Sequence, residues 1–277
     1  MTVLNVALDV MREALARRFI LAIFIAIGIG LLTLSLALDL DVVQGTLAAS
    51  RLFGQQVHAA IVPVDVALRQ LFGGLVYPFF YAGVMLGVVA SSQIAVGLLA
   101  PGRVEFLLSL PVRRGELVVG TYLGVLLIAL LATAASVGGL SLVLFYKTRI
   151  VTAAPLAAAI AGLLGFAAVY GAMLLATALV RSSSLASAAG LGLFALGAAA
   201  SDRATFVSLF DVGWVRRLVE IAVAPLPRFH LLAEAGARAA EAGQAWPGGT
   251  GPLIGATLAF ALASVTAAAF VIGRKDY

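Results

Sequence analysis

The run from Leu117 to Tyr146, LVVGTYLGVLLIALLATAASVGGLSLVLFY, holds 30 residues without one Asp, Glu, Lys or Arg. Glu116 bounds it on one side and Lys147 on the other. A bilayer hydrocarbon core of about 30 Å is crossed by roughly 20 apolar helical residues, so this run can span one with length to spare. A helix of that length in water needs a polar outer face, and this one has no charge from which to build it.

Five further windows share the property. They lie between Arg18 and Asp39, Arg69 and Arg103, Arg149 and Arg181, Arg181 and Asp202, and Glu241 and Arg274, with uncharged interiors of 20, 33, 31, 20 and 32 residues. Backbone N–H and C=O groups in lipid must bond within their own segment, which favours helices. The expectation is an all-α polytopic membrane protein with six transmembrane helices, near Phe19–Leu38, Leu75–Leu99, Leu117–Tyr146, Pro155–Val180, Leu185–Ala200 and Pro252–Ile272. Residues 1–277 form one transmembrane domain in this reading: a surface helix at 1–18, a six-span bundle at 19–272 and a short tail at 273–277.

Composition supports it. Hydrophobic residues make up 62% of the chain and charged residues 11%, against about 25% charged in soluble domains. Cysteine is absent, which removes disulfides, thiolate metal ligands and cysteine nucleophiles. The net charge is +5, but the basic residues are scattered at span ends and form no run, so nucleic acid is not an expected partner. The first window is longer than a signal-peptide core and follows a polar-flanked segment, so it reads as a retained span.

Residues 2–18 place Leu4, Ala7, Leu8, Met11 and Leu15 on one helical face, with Asp9, Arg12, Glu13 and Arg17 elsewhere. This is the pattern of an amphipathic helix lying on a membrane surface. A polar stretch, Asp39–Gly74, separates spans one and two. Tyr77, Phe79, Phe80 and Tyr81 cluster at the start of span two, suited to an interface. Between spans five and six, Phe206, Phe210, Trp214 and Leu218 recur at helical spacing, Pro225-Leu226-Pro227 breaks the pattern, and Leu231–Ala242 resumes it. That predicts an outer helix pair. The basic residues divide nine and nine between the two sides, but those on the side of the N-terminus crowd into short segments beside spans. The positive-inside bias then predicts a multi-pass protein of the cell (inner) membrane with both termini cytoplasmic.

Gly83 and Gly87 stand four apart, as do Gly120 and Gly124, a spacing that lets helix backbones approach closely. Packing within the chain is the expected use of both pairs, with a dimer contact as the alternative. No Asp, Glu, Lys, Arg or His falls inside a predicted span, whereas ion-coupled carriers place an ionisable group there. The two histidines, His58 and His230, sit in outer segments and suggest no metal site. No phosphate-binding Gly-rich loop, His-Glu-x-x-His or Gly-x-Ser-x-Gly motif occurs, so the chain is not expected to be an enzyme or to bind a cofactor itself. A mover without its own ion site or nucleotide loop takes its energy from a partner.

The loop between spans two and three is the most specific stretch. In Pro101–Glu116, Phe106, Leu107 and Leu110 are apolar, Arg103, Glu105 and Ser109 are polar, Pro111 ends the helical pattern, and Arg113, Arg114 and Glu116 return the chain to the membrane. Apolar residues rimmed by charge suit either a docking element or a helix resting on headgroups. Leu107-Leu108-Ser109-Leu110-Pro111-Val112-Arg113-Arg114-Gly115-Glu116, followed by Gly120 and Tyr122-Leu123-Gly124, resembles the corresponding loop of ABC-2 type transporter permeases. The match rests on Leu107, Leu108, Pro111, Val112, Arg114, Glu116, Gly120, Tyr122, Leu123 and Gly124. Arg113 and Thr121 depart from it, standing where Ser and Lys are frequent.

The resemblance implies a cytoplasmic coupling helix that docks into an ATP-binding cassette subunit through Arg103, Glu105, Phe106, Leu107, Leu108, Leu110, Pro111, Arg113, Arg114 and Glu116. It implies two ATPase subunits carrying the ATP and Mg, a second permease subunit, identical or related, and membrane lipids as partners. It implies an ATP-driven transporter, expected to export. The alternatives are an ABC-associated scaffold or motion-transmitting subunit that moves no solute, and a six-span secondary carrier.

Overall fold

A computed structural model of the chain describes residues 3–16, 18–43, 46–52, 55–58, 62–97, 113–151, 154–210, 213–242 and 246–274. Among these lie ten helices: α1 (Val3–Ala16), α2 (Arg18–Ala37), α3 (Val64–Gly97), α4 (Arg114–Thr148), α5 (Ala154–Val180), α6 (Ser183–Ala199), α7 (Arg203–Ser208), α8 (Gly213–Val223), α9 (Phe229–Ala242) and α10 (Gly251–Arg274). Four short strands, β1 (Leu38–Val43), β2 (Thr46–Leu52), β3 (Gln55–His58) and β4 (Val62–Pro63), form a small antiparallel sheet between α2 and α3. β2 is its centre. It pairs β1 on one side, and on the other it pairs β4 at its Thr46 end and β3 at its Leu52 end.

Helices α3, α4, α5 and α10, with 34, 35, 27 and 24 residues, are each long and apolar enough to cross a bilayer. Helices α1 and α2 meet at 67° and together count as at most one more. Helix α6, at 17 residues, falls below that length. The molecule is therefore a multi-pass membrane protein with four to five span candidates by length and composition, fewer than the six read from the charge gaps.

Other boundaries also differ from the sequence reading. The stretch Asp39–Gly74 is not a polar connection throughout, because helix α3 begins at Val64. Asp65 lies in its first turn and pairs with Arg69 at 2.6 Å. An acidic residue near a helix N-terminus and an i,i+4 ion pair both favour the helix, so charge here marks a helix extending past the apolar window. The helical pattern from Phe206 to Leu218 is two helices, α7 and α8. The described residues between α6 and α10 thus hold three helices, and α9 is no surface element. Its Phe229, Leu232, Ala233, Ala235, Gly236, Ala237, Ala239 and Ala240 are buried, and it packs on α3 and α5.

Helix α5 is the axis of the bundle and touches α3, α4, α6, α9 and α10. Its Ala161, Ala168, Val169, Tyr170, Met173 and Ala178 are fully buried. Alanine and glycine dominate it because lipid offers helices no hydrophobic incentive to associate, so close backbone approach and van der Waals contact must hold them. At the periphery, Leu21, Ile25, Ile29, Leu32 and Leu36 form an exposed stripe along α2. Spaced four, four, three and four apart, they share one face. Serine and threonine hydroxyls in the long helices bond one turn back: Ser91 donates to the Gly87 carbonyl at 2.7 Å, Thr121 to Leu117 at 2.8 Å and Thr177 to Met173 at 2.9 Å. Helices α4 and α5 end on left-handed residues, Arg149 at φ 58° and Arg181 at φ 54°. Their amides reach back to Phe145 and Thr177, closing the last turns.

Helix α1 has three faces. Val6, Ala7, Val10 and Ala14 are buried against α4. Leu4 and Leu15 are exposed on a second, apolar face, and Asn5, Asp9 and Arg12 lie exposed on a third. The single apolar face read from the sequence is thus divided, with its leucines turned away from the protein and the valines holding the helix to it.

Candidate coupling end of the bundle

Of the expected coupling residues, Arg103, Glu105, Phe106, Leu107, Leu108, Leu110 and Pro111 lie outside the described residues. Arg113, Arg114 and Glu116 are described, at the start of α4. Arg113 has extended backbone, and its N–H donates to the Glu116 carboxylate at 3.2 Å, so Glu116 satisfies an amide that the first turn leaves open. The Arg114 guanidinium donates to the Gly273 carbonyl near the end of α10 at 3.5 Å. Arg274 lies over the Phe270 ring, 4.1 Å from its centroid. The first turn of α4 and the last turn of α10 are therefore held together.

Gly120 and Gly124 do pack within the chain, and their partner is α1. A Cβ on Gly120 would lie 2.6 Å from the Val6 Cβ, and one on Gly124 would lie 2.8 Å from the Ala7 carbonyl. Gly87 lies against the Phe166 ring of α5, where a Cβ would come within 2.7 Å, whereas Gly83 has nothing within 4 Å among the described residues. The sequence showed the glycine spacing but not the occupant, because a small-residue groove does not encode what fills it.

One turn along α4, Tyr122 reaches α5. Its hydroxyl donates to the Ala167 carbonyl at 3.1 Å, and its ring stacks on Tyr170 with centroids 6.0 Å apart. Tyr170 in turn stacks on Phe166 at 5.8 Å. The Tyr170 hydroxyl is buried without a hydrogen-bond partner among the described residues. Contacts thus run continuously from the start of α4 through Tyr122, Tyr170 and Phe166 to Gly87 of α3. No group of three or more potential metal ligands occurs among the described residues. His230 instead shares a 3.2 Å hydrogen bond with the Tyr81 hydroxyl, a pairing that nothing in the sequence signalled.

The profile of the ABC-2 family transporter protein matches residues 4–208, from α1 through α7 and across the loop before α4. The chain belongs to the ABC-2 transporter family. No curated protein matches it. This ABC-2 protein is thus a transporter-family membrane subunit, and membership implies association with an ATP-binding subunit in general. Helices α8, α9 and α10 lie beyond the matched residues.

Proposed function

We propose that this ABC-2 protein is the permease of an ATP-driven exporter, and that the loop at residues 101–116 couples it to a separate ATPase. The observation that carries the reading is the helix start that follows those residues in the sequence, which is gripped on two sides. Arg114 ties α4 to α10, and Gly120 and Gly124 seat α1. A push on Phe106–Leu110 would reach both elements, and the rings of Tyr122, Tyr170 and Phe166 would carry it to α3. Two permease subunits, identical or related, would frame the route, with two ATPase subunits beneath them carrying the ATP and Mg. The chain itself performs no hydrolysis in this reading.

The six spans would be α2, α3, α4, α5, α6 and α10. Helix α6, with 17 residues, rises about 26 Å at 1.5 Å per residue, which reaches the lower end of the spanning range. Arg113, Arg114, Arg181 and Arg274 would then face the cytoplasm of a cell (inner) membrane protein with both termini inside.

The test is co-purification of the full chain with its ATPase. Phe106→Glu combined with Leu107→Glu should abolish it, since buried interface anchors contribute about 2 kcal/mol or more each. His230→Ala, beside Tyr81 midway along α3, should leave it intact. Undiminished ATPase capture by the double Glu variant would remove the coupling role.

A further inference from the structure

Three aromatic rings form one stack where α4 meets α5. Tyr122 of α4 lies on Tyr170 at an interplanar angle of 10°, and Tyr170 lies on Phe166 at 16°. Centroid separations of 6.0 and 5.8 Å make both contacts offset stacks. All three side chains are buried, Tyr170 completely. Phe166 holds its place in the stack as a bare ring, so stacking here does not require a hydroxyl.

The two tyrosine hydroxyls differ in what they bond. Tyr122 donates to the Ala167 carbonyl of α5 at 3.1 Å. A phenolic oxygen also accepts, so Tyr122 keeps a free acceptor. Tyr170 has no hydrogen-bond partner among the described residues. A buried donor without an acceptor is costly, because it has given up water and gained nothing in return.

The arrangement of the stack identifies the acceptor within its reach. Side chains on a helix lean towards its N-terminus, over the preceding turn. The contact of Tyr170 with Phe166, four residues earlier in α5, follows that lean. Ala167, which holds the Tyr122 hydroxyl, belongs to the same preceding turn. The Tyr122 oxygen is therefore held at the level of α5 over which the Tyr170 side chain leans. Of the two rings that Tyr170 stacks on, only Tyr122 carries a polar atom.

We propose that Tyr122 and Tyr170 form a two-state latch between α4 and α5. In the described state Tyr122 alone is bonded. In the second state α4 slides along α5, Tyr122 pivots about its bond to Ala167, and the Tyr170 hydroxyl donates to the Tyr122 oxygen. Nearly parallel rings change their offset without parting, so the stack survives the slide. One unsatisfied donor becomes a chain of two bonds, Tyr170 to Tyr122 to Ala167, in which each strengthens the other. The described state offsets the missing bond through the packing of α4 on α1 at Gly120 and Gly124 and its tie from Arg114 to Gly273. Gains on opposite sides keep both states within reach of one another. The inference does not rest on the ATPase reading, and its test uses the permease alone.

The chain contains no cysteine, so introduced cysteines carry labels without background. Leu142 of α4 and Val180 of α5 are both exposed and lie towards opposite ends of the two antiparallel helices. A nitroxide pair on Leu142→Cys and Val180→Cys therefore reads a slide along the helix axes. Pulsed EPR is recorded on the full chain in phosphatidylcholine nanodiscs, diluted with unlabelled chain. The doubly labelled parent should show two distances, and adding Tyr170→Phe should remove one of them. Tyr122→Phe, which deletes the acceptor, should remove the same one. Tyr146→Phe, at an exposed tyrosine, should keep both. Two outcomes would overturn the latch: one distance common to the parent and both core variants, or two distances whose proportions Tyr170→Phe leaves unchanged. The second would hold even if that variant melted at a higher temperature, since relief of a buried hydroxyl alone moves stability and not the distances.

Discussion

Val6 of α1 occupies the space that a side chain on Gly120 of α4 would need, its Cβ lying 2.6 Å from where the Gly120 Cβ would be built. The N-terminal helix is thereby a seated part of the bundle. Gly120→Leu should displace α1 and lower stability by about 1–3 kcal/mol, the usual cost of overpacking. Gly83→Ala is the matched control. With nothing within 4 Å among the described residues, it should raise stability by up to about 1 kcal/mol through helix propensity. Thermal unfolding in detergent and hydrogen exchange over residues 3–16 would register both, and equal behaviour of the two variants would refute the seating.

Tyr122 and Tyr170 stack on one another but differ in their hydroxyls. Tyr122 is bonded to the Ala167 carbonyl, whereas Tyr170 has no partner among the described residues. Tyr122→Phe should cost about 0.5–1.5 kcal/mol, and Tyr170→Phe should be neutral or stabilising by about 1 kcal/mol, because it removes a buried unsatisfied group. Denaturant midpoints in mixed micelles would show shifts of opposite sign or, at least, a clear difference between the variants.

Gly197 gives the chain its route back from α7 and α8 to α9. Gly197→Ala puts a Cβ 2.6 Å from the Pro227 carbonyl and 2.7 Å from a Phe229 ring carbon. Neither neighbour can move freely, since Pro227 is rigid and Phe229 is buried. A loss of about 1–3 kcal/mol is expected, with faster proteolysis between residues 200 and 228. An undisturbed cleavage pattern would argue against a pinned return.

Asp202 caps α7. Its carboxylate accepts the Thr205 hydroxyl at 2.6 Å and the Thr205 amide at 3.4 Å, and these bonds, the hydroxyl first, hold its pKa below the usual 3.8. A folded-state value below the unfolded one stabilises the cap above the unfolded pKa, and that contribution fades as pH falls through the folded value. Exchange of the Thr205 amide should therefore remain slow at neutral pH and accelerate, relative to other amides, only on acidification below about pH 4. In Thr205→Val the acceleration should begin at higher pH. An unchanged profile in that variant would show that the hydroxyl does not set the cap.

The membrane class of the molecule was legible because charge is prohibitive in hydrocarbon, and its absence over 20 to 33 residues leaves few alternatives. Helices α4 and α5 and the resumed helix at α9 follow the sequence pattern to within a few residues. The start of α3 did not, because Asp65 and Arg69 read as loop charges until their mutual pairing and the Arg69 bond to the Ala242 carbonyl are seen. The stretch at 101–116 was legible as a motif, and the bond from Arg114 to Gly273 was not, since 159 residues separate the two.

By itself, the sequence determined which segments prefer lipid, where small residues permit close approach, and that the loop at 101–116 belongs to an ABC-2 pattern. These are local properties, fixed by solvation and by side-chain size. Only the tertiary structure decided that α1 fills the Gly120–Gly124 groove, that α9 is buried in the bundle, and that Tyr122 of α4 lies on Tyr170 of α5. Each of these depends on which surfaces meet, and a one-dimensional pattern records the capacity for contact without naming the partner.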